Sequence, residues 1–181
     1  MRGRKSQRVK VITSKDLELI KQIARTGLCS REQAETYSGL SQDRLAKLCK
    51  SNFLKEEQSL YHRELITIYR LADTGIKYVK NSCDSINNVY KYASTMHDIA
   101  LTKYYYTIEP QYRDRWTTEE DLKHEQEYSL YSGSCLDGLY RDEHGRTHAV
   151  EVLTKNYSVE EIKSKEEFAS CLGGEVSYLY A

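Results

Sequence analysis

The chain has 181 residues, 39% hydrophobic and 30% charged, with one proline and 27 basic against 27 acidic residues. That composition describes a globular protein of one ordinary domain or two small ones and leaves little for a long disordered tail. No stretch approaches the roughly 18 apolar residues of a transmembrane helix, and MRGRKSQRVK leads into no apolar signal core, so a cytoplasmic protein with no membrane partner is expected.

The neutral total conceals a segregation. Residues 1–80 hold 17 Lys and Arg against 9 Asp and Glu, a net +8; residues 81–181 hold 10 against 18, a net −8. A basic module draws a polyanion through counterion release and an acidic one repels it, so nucleic-acid contact is expected in the first half. Cys29, Cys49, Cys83, Cys135 and Cys171 are odd in number and widely spaced, which reads as reduced thiols and not as a zinc site.

Residues 1–13 read as a basic arm, with Arg2, Arg4, Lys5, Arg8 and Lys10 and no acid before Asp16, flexible until it folds onto DNA. A helix capped by Ser14 follows, with Leu17, Ile20, Ile23 and Ala24 at helical spacing before Gly27. Ser30 and Gln33 have capping-box spacing at the head of a short second helix that turns Ala34 and Tyr37 inward and stops at Gly39. Ser41 caps a third, with Leu45, Leu48 and Cys49 buried; two capped helices joined by a tight turn make a helix-turn-helix candidate. Extended runs at Phe53–Glu57 and Leu65–Leu71 flank a polar tip, and the alternation in the second predicts a hairpin.

The hairpin enters a helix through IYRLADTGIKYVKN, which resembles the closing strand-to-helix turn of winged-helix repressors; the resemblance covers about residues 12–81. It implies a winged helix-turn-helix over residues 14–81 that binds double-stranded DNA with its third helix in the major groove. Ser41 and Gln42 would then clasp a phosphate, Arg44, Lys47 and Lys50 would face bases and phosphates, and Lys55, His62 and Arg63 would reach DNA from the wing. Asp43 speaks against this face, and Lys47 and Lys50 also suit a merely solvated helix. No coiled coil pairs the chain, so its assembly stays open.

Residues 82–94 are polar and aperiodic and read as a linker. Beyond it the predicted elements are a helix from a Thr95/Asp98 capping pair, an extended piece at Tyr112–Trp116, and a helix capped by Thr117 with Glu120. A hairpin turning at Glu143-His144-Gly145, a helix capped by Ser158 with Glu161, and a last strand EVSYLY complete residues 95–181. The order α–β–(α)–β–β–α–β, with Asp137 and Glu151 on successive strands, resembles the PD-(D/E)xK nuclease-like core (αβββαβ), so the fold class is α+β, a winged helix followed by a small α/β domain. That resemblance implies a Mg²⁺ site on Asp137 and Glu151. Its lysine belongs two residues after the second acid, where this chain has Leu153; Lys155 lies one alternation farther, about 7 Å along the strand, which speaks against an active nuclease. The plainer alternative has Asp137 beginning a turn, Glu151 facing solvent on an edge strand and His97 as a helix-surface or satisfied core histidine. His62, His124, His144 and His148 lack metal-ligand spacing.

The chain also resembles the replication-relaxation family of plasmid-associated proteins, at His97, Asp98, Trp116, Glu119, Asp137 and Glu151. That resemblance implies a winged helix joined to a nuclease-like domain without established catalysis. Twelve of the sixteen tyrosines follow residue 89, so the acidic half reads either as a Tyr-built core or as a surface for a protein partner or self-association. Three functions follow. The first is a DNA-binding accessory or regulatory protein of a mobile element, without catalysis or cofactor; the second is a Mg²⁺-dependent DNA nuclease using Asp137, Glu151 and Lys155. The third is a phage-encoded inhibitor whose acidic half imitates nucleic acid.

Overall fold

The Thr13 hydroxyl accepts the Asp16 N–H while the Asp16 carboxylate accepts the Thr13 N–H at 2.7 Å, a capping box that starts helix α1 (Ser14–Thr26) one residue before the expected cap. It is the first element of a computed structural model that describes residues 6–124, 135–154 and 157–181. Ser30 and Gln33 close the expected box on α2 (Arg31–Ser38), and Ser41 caps α3 (Gln42–Lys50). Strands β2 (Leu54–Tyr61) and β3 (Glu64–Leu71) form the hairpin, and β1 (Cys29–Ser30) pairs with β3, giving the sheet order β1-β3-β2. The hairpin is longer than its sequence pattern. His62 and Arg63 take positive φ (48° and 71°), and such a two-residue turn matches the strand twist, so pairing continues to Tyr61 and Glu64. Helix α4 (Asp73–Ser82) closes a core containing Leu19, Ile20, Ile23, Leu45, Leu48 and Val79.

The second half runs α5 (Thr95–Thr107), α6 (Pro110–Arg113), β4 (Thr117–Thr118), α7 (Glu119–Leu122), β5 (Gly138–Arg141), β6 (Thr147–Leu153), α8 (Val159–Cys171) and β7 (Gly174–Tyr180). Its sheet has the order β4-β5-β6-β7, antiparallel except for the parallel β6–β7 pair that α8 connects. The described chain is thus mixed α+β, with no helix long and apolar enough to cross a membrane. All five cysteines are free thiols.

Four local expectations are corrected. Tyr112 and Arg113, the first two residues of the expected extended piece, are helical, because Pro110 starts α6 at the helix position where its missing N–H costs nothing. Thr118, with Asp121, caps α7 in place of Thr117, whose residue pairs with Leu139 in the sheet. Ser94 caps α5; the Thr95 hydroxyl instead meets Ser59 at 2.5 Å, and Asp98 turns to His97. Tyr37 does not face the core but is exposed and stacks on Tyr106 of α5, with centroids 4.5 Å apart.

Two longer segments are also more anchored than their composition implies. In residues 82–94, Cys83 and Ile86 enter the first core, Tyr90 enters the second, and the Tyr90 N–H donates to the Ala24 carbonyl at 2.8 Å. In the arm, Val9 and Ile12 pack on the first core and the Val9 N–H donates to Ser51 Oγ. Arg2, Arg4 and Lys5 lie outside the described residues.

The halves meet along α1 and α5 through buried polar groups. Gln22 Nε2 donates to Thr102 Oγ1 and to the Leu28 carbonyl, both at 2.9 Å, and the fully buried Arg25 reaches Tyr105, Ser85 and Asp114.

Asp16 is fully buried and, besides its capping role, pairs with the Arg44 guanidinium. Burial raises its carboxyl pKa, but the hydrogen bonds from Arg44 and Thr13 outweigh this and hold it below the ordinary 3.8. Its stabilisation is therefore complete above 3.8 and is lost as pH falls through the native value. Asp16→Ala, which strands Arg44 and opens the box, should cost about 3 kcal/mol in urea unfolding at pH 7.

Candidate functional site

Four elements converge on a buried cluster of charge. Asp137 immediately precedes β5 and is nearly buried; Glu151, in the middle of β6, is fully buried, with β5 on one side and β7 on the other. The solvent-facing edge position weighed for Glu151 is thereby corrected. The two acids are linked: the Asp137 N–H donates to Glu151 Oε2 at 3.2 Å, and Asp137 Oδ2 accepts the Val152 N–H at 2.7 Å. Gly138 lets β5 lie flat on the indole of Trp116, since a Cβ there would overlap the ring.

Lys165, from the inner face of α8, completes the cluster. Its Nζ lies 2.5 Å from Glu151 Oε1 and donates to the Cys135 carbonyl at 2.6 Å. The Tyr157 hydroxyl donates to the same Glu151 oxygen at 2.5 Å. Sequence reasoning missed Lys165, yet a signal was present: it falls three residues before Phe168 and three after Ile162, on the apolar stripe of the helix, where an unpaired lysine is costly. Lys155 lies outside the described residues.

His97 enters from the first turn of α5, with Nδ1 3.0 Å from Asp98 Oδ1 and Nε2 3.0 Å from Asp137 Oδ2. A ring facing a carboxylate oxygen at each nitrogen satisfies both only as an imidazolium. Burial lowers its pKa, but hydrogen bonds and charge from Asp137 and Asp98 prevail and push it up to about 10. Glu151 moves up as well, to about 7, because burial and the Asp137 charge outweigh Lys165 and Tyr157. Among the described residues no three His, Cys, Asp or Glu side chains are disposed to hold a metal ion, so a cation here would have Asp137 and Glu151 as its carboxylate ligands. Trp116 is buried in the second core, and Glu119 pairs with Lys123 at 2.9 Å outside the cluster.

The residues expected to meet DNA separate into two groups. Ser41, Gln42 and Lys50 are exposed on α3 and Lys47 is half-buried there; His62 and Arg63 are exposed at the hairpin tip, and Arg8 and Lys10 in the arm. Arg44 is corrected: its guanidinium binds Asp16 and the Val11 carbonyl at 2.7 Å and so stitches α3 to α1 and the arm. Lys55 is paired with Glu57 at 2.8 Å. A separate groove of about 560 Å³, lined by Arg31, Tyr37, Tyr61, Ile66 and Lys103, shares no residue with the acidic cluster.

No protein-family model, curated protein or solved structure matches this chain.

The native state holds a proton on Glu151 that the unfolded chain releases near 4.5, so stability should fall as pH rises from 4.5 through about 7. His97 adds a second decline above its ordinary 6.5, complete near 10. Chemical denaturation across this range should show the first decline flattened in Glu151→Gln and the second absent in His97→Gln.

Proposed function

We propose that the protein binds double-stranded DNA through its basic first half and acts on it at the Asp137–Glu151–Lys165 cluster as a divalent-cation-dependent phosphodiesterase of PD-(D/E)xK type. The convergence of one carboxylate at the entrance to β5 and one on β6 with a lysine from the following helix carries this reading. Lys165 takes, from α8, the role that the family resemblance assigns to a lysine two residues after Glu151, where Leu153 stands. The element order α5–β4–β5–β6–α8–β7, passing over the short α6 and α7, agrees with an αβββαβ core. For the first half, the order α1–β1–α2–α3–β2–β3 and the β1-β3-β2 sheet support a winged helix with α3 as the reading helix. The resemblance to plasmid replication-relaxation proteins supports a role in a mobile element.

The donor set fits Mg²⁺. Asp137, immediately before β5, and Glu151, on β6, supply hard oxygens, and Mg²⁺ commonly takes one or two carboxylates and keeps its remaining positions for water and phosphate. The upward push that Asp137 exerts on Glu151 is repulsion that a dication relieves. Such an ion would polarise a phosphodiester and acidify water beside it. The chain's own part is positioning: Lys165 and Tyr157 hold one oxygen of Glu151, and the Asp137 N–H holds the other.

A second reading keeps the DNA binding and omits the chemistry, making the protein an accessory factor. It is favoured by one observation: the two acids already have cationic partners of their own, His97 and Lys165.

Supercoiled plasmid incubated with Mg²⁺ or Mn²⁺ should be nicked by the wild type and left intact by Asp137→Asn and Lys165→Met. Intact plasmid with wild-type protein, together with a normal gel shift, would establish the accessory reading. In the gel shift, Lys47→Ala and Lys50→Ala should each weaken duplex binding across sequences and reduce the slope of log affinity against log salt by about 1, whereas Arg44→Ala should act through stability.

A further inference from the structure

An aspartate that must present its carboxylate to a cation needs its side chain held, and Asp137 is poorly held by its own strand. It precedes the first residue of β5, so ladder pairing does not constrain it, and among the described residues its Oδ2 meets the Val152 N–H at 2.7 Å and His97 Nε2 at 3.0 Å. His97 in turn is fixed at three points. Its backbone N–H caps onto Ser94 Oγ, its ring is buried, and Nδ1 meets Asp98 Oδ1 at 3.0 Å. Asp98 is fully buried and seated against Gly27, the residue that ends α1 at φ 89°; a Cβ at Gly27 would collide with Asp98 Oδ2. A continuous line of contacts therefore runs from the end of α1 in the first half, through Asp98 and His97, to a carboxylate of the cluster.

We infer that His97, oriented by Asp98, is a positioning residue that sets the Asp137 carboxylate for divalent-cation binding and couples the cluster to the end of α1. The inference rests on the proposal that Asp137 and Glu151 hold a cation. His97 itself touches neither cation nor DNA in this scheme. A hydrogen-bonded partner of this kind orients the ligand it touches, and its removal typically lowers metal affinity about 10–100-fold.

The test is Mn²⁺ binding to the full chain, followed by isothermal titration and by loss of the free-ion paramagnetic resonance signal. Three variants are compared with wild type: His97→Leu, which removes the donor; His97→Gln, which keeps one N–H donor within reach of Asp137; and Asp98→Asn. Wild type should bind Mn²⁺, His97→Leu should bind it about 10–100-fold more weakly, His97→Gln should recover most of the loss, and Asp98→Asn should fall between. Plasmid nicking should lose kcat in His97→Leu while KM for DNA stays unchanged, because the duplex is gripped elsewhere. Unchanged or tighter Mn²⁺ binding in His97→Leu, or a loss that His97→Gln fails to restore, would overturn the inference. Absence of Mn²⁺ binding by the wild type would remove the cation site itself and the inference with it.

Discussion

The buried polar seam between α1 and α5 is the constraint on which the arrangement depends. Gln22, Thr26, Thr102 and the Leu28 carbonyl exchange hydrogen bonds out of contact with water, and Arg25 is wholly buried beside them. An apolar seam tolerates sliding, whereas buried donors and acceptors lose one to several kcal/mol each when their partners shift. The seam therefore admits one seating of the halves. Ion pairs reinforce it at the rim, from Lys21 and Arg25 to Asp114 and from Arg113 to Glu18. Part of the opposite charge of the two halves thus holds them together, through Lys21, Arg25 and Asp114.

Because α5 belongs to that seam, so do the first residues of the acidic cluster. Its N-terminal turn carries His97 and Asp98 to Asp137, while its outer surface receives Tyr37 and the end of β2. A cluster assembled from α5, β5, β6 and α8 has no local sequence logic; it exists only where a helix fastened to the first half crosses a sheet made by the second. Burying Asp98, Glu151, Lys165 and His97 together is poor economy for stability alone, since well-packed apolar residues of similar volume usually do as well. Titration displaced this far is more common where a site binds or reacts.

Helix starts were the most legible feature, because a cap is decided by residues three apart in sequence. Ser30 with Gln33, Ser41, and Ser158 with Glu161 are all found as read. One-residue errors at Thr13, Ser94 and Thr118 arose where two hydroxyl residues stand side by side; Asp16 chose between the first pair, and a distant partner between each of the others. Thr95 lost the cap because Ser59 and Tyr92 claim its hydroxyl. Arg44 was read as a reader of DNA because a cation on an exposed helical turn looks solvated; the buried carboxylate that captures it lies 28 residues earlier.

Most of the helices, the hairpin, the segregation of charge and the neighbourhood of Asp137 and Glu151 followed from the amino-acid sequence itself, since period, capping and turn chemistry act over a few residues; β1, β4 and α6 did not. The tertiary structure alone decided which cations meet those acids, that residues 82–94 are packed and not free, and that Arg44 turns inward. Those outcomes depend on electrostatics and desolvation between groups many residues apart, such as Lys165 with Glu151 and His97 with Asp137, and no local pattern encodes such a distance.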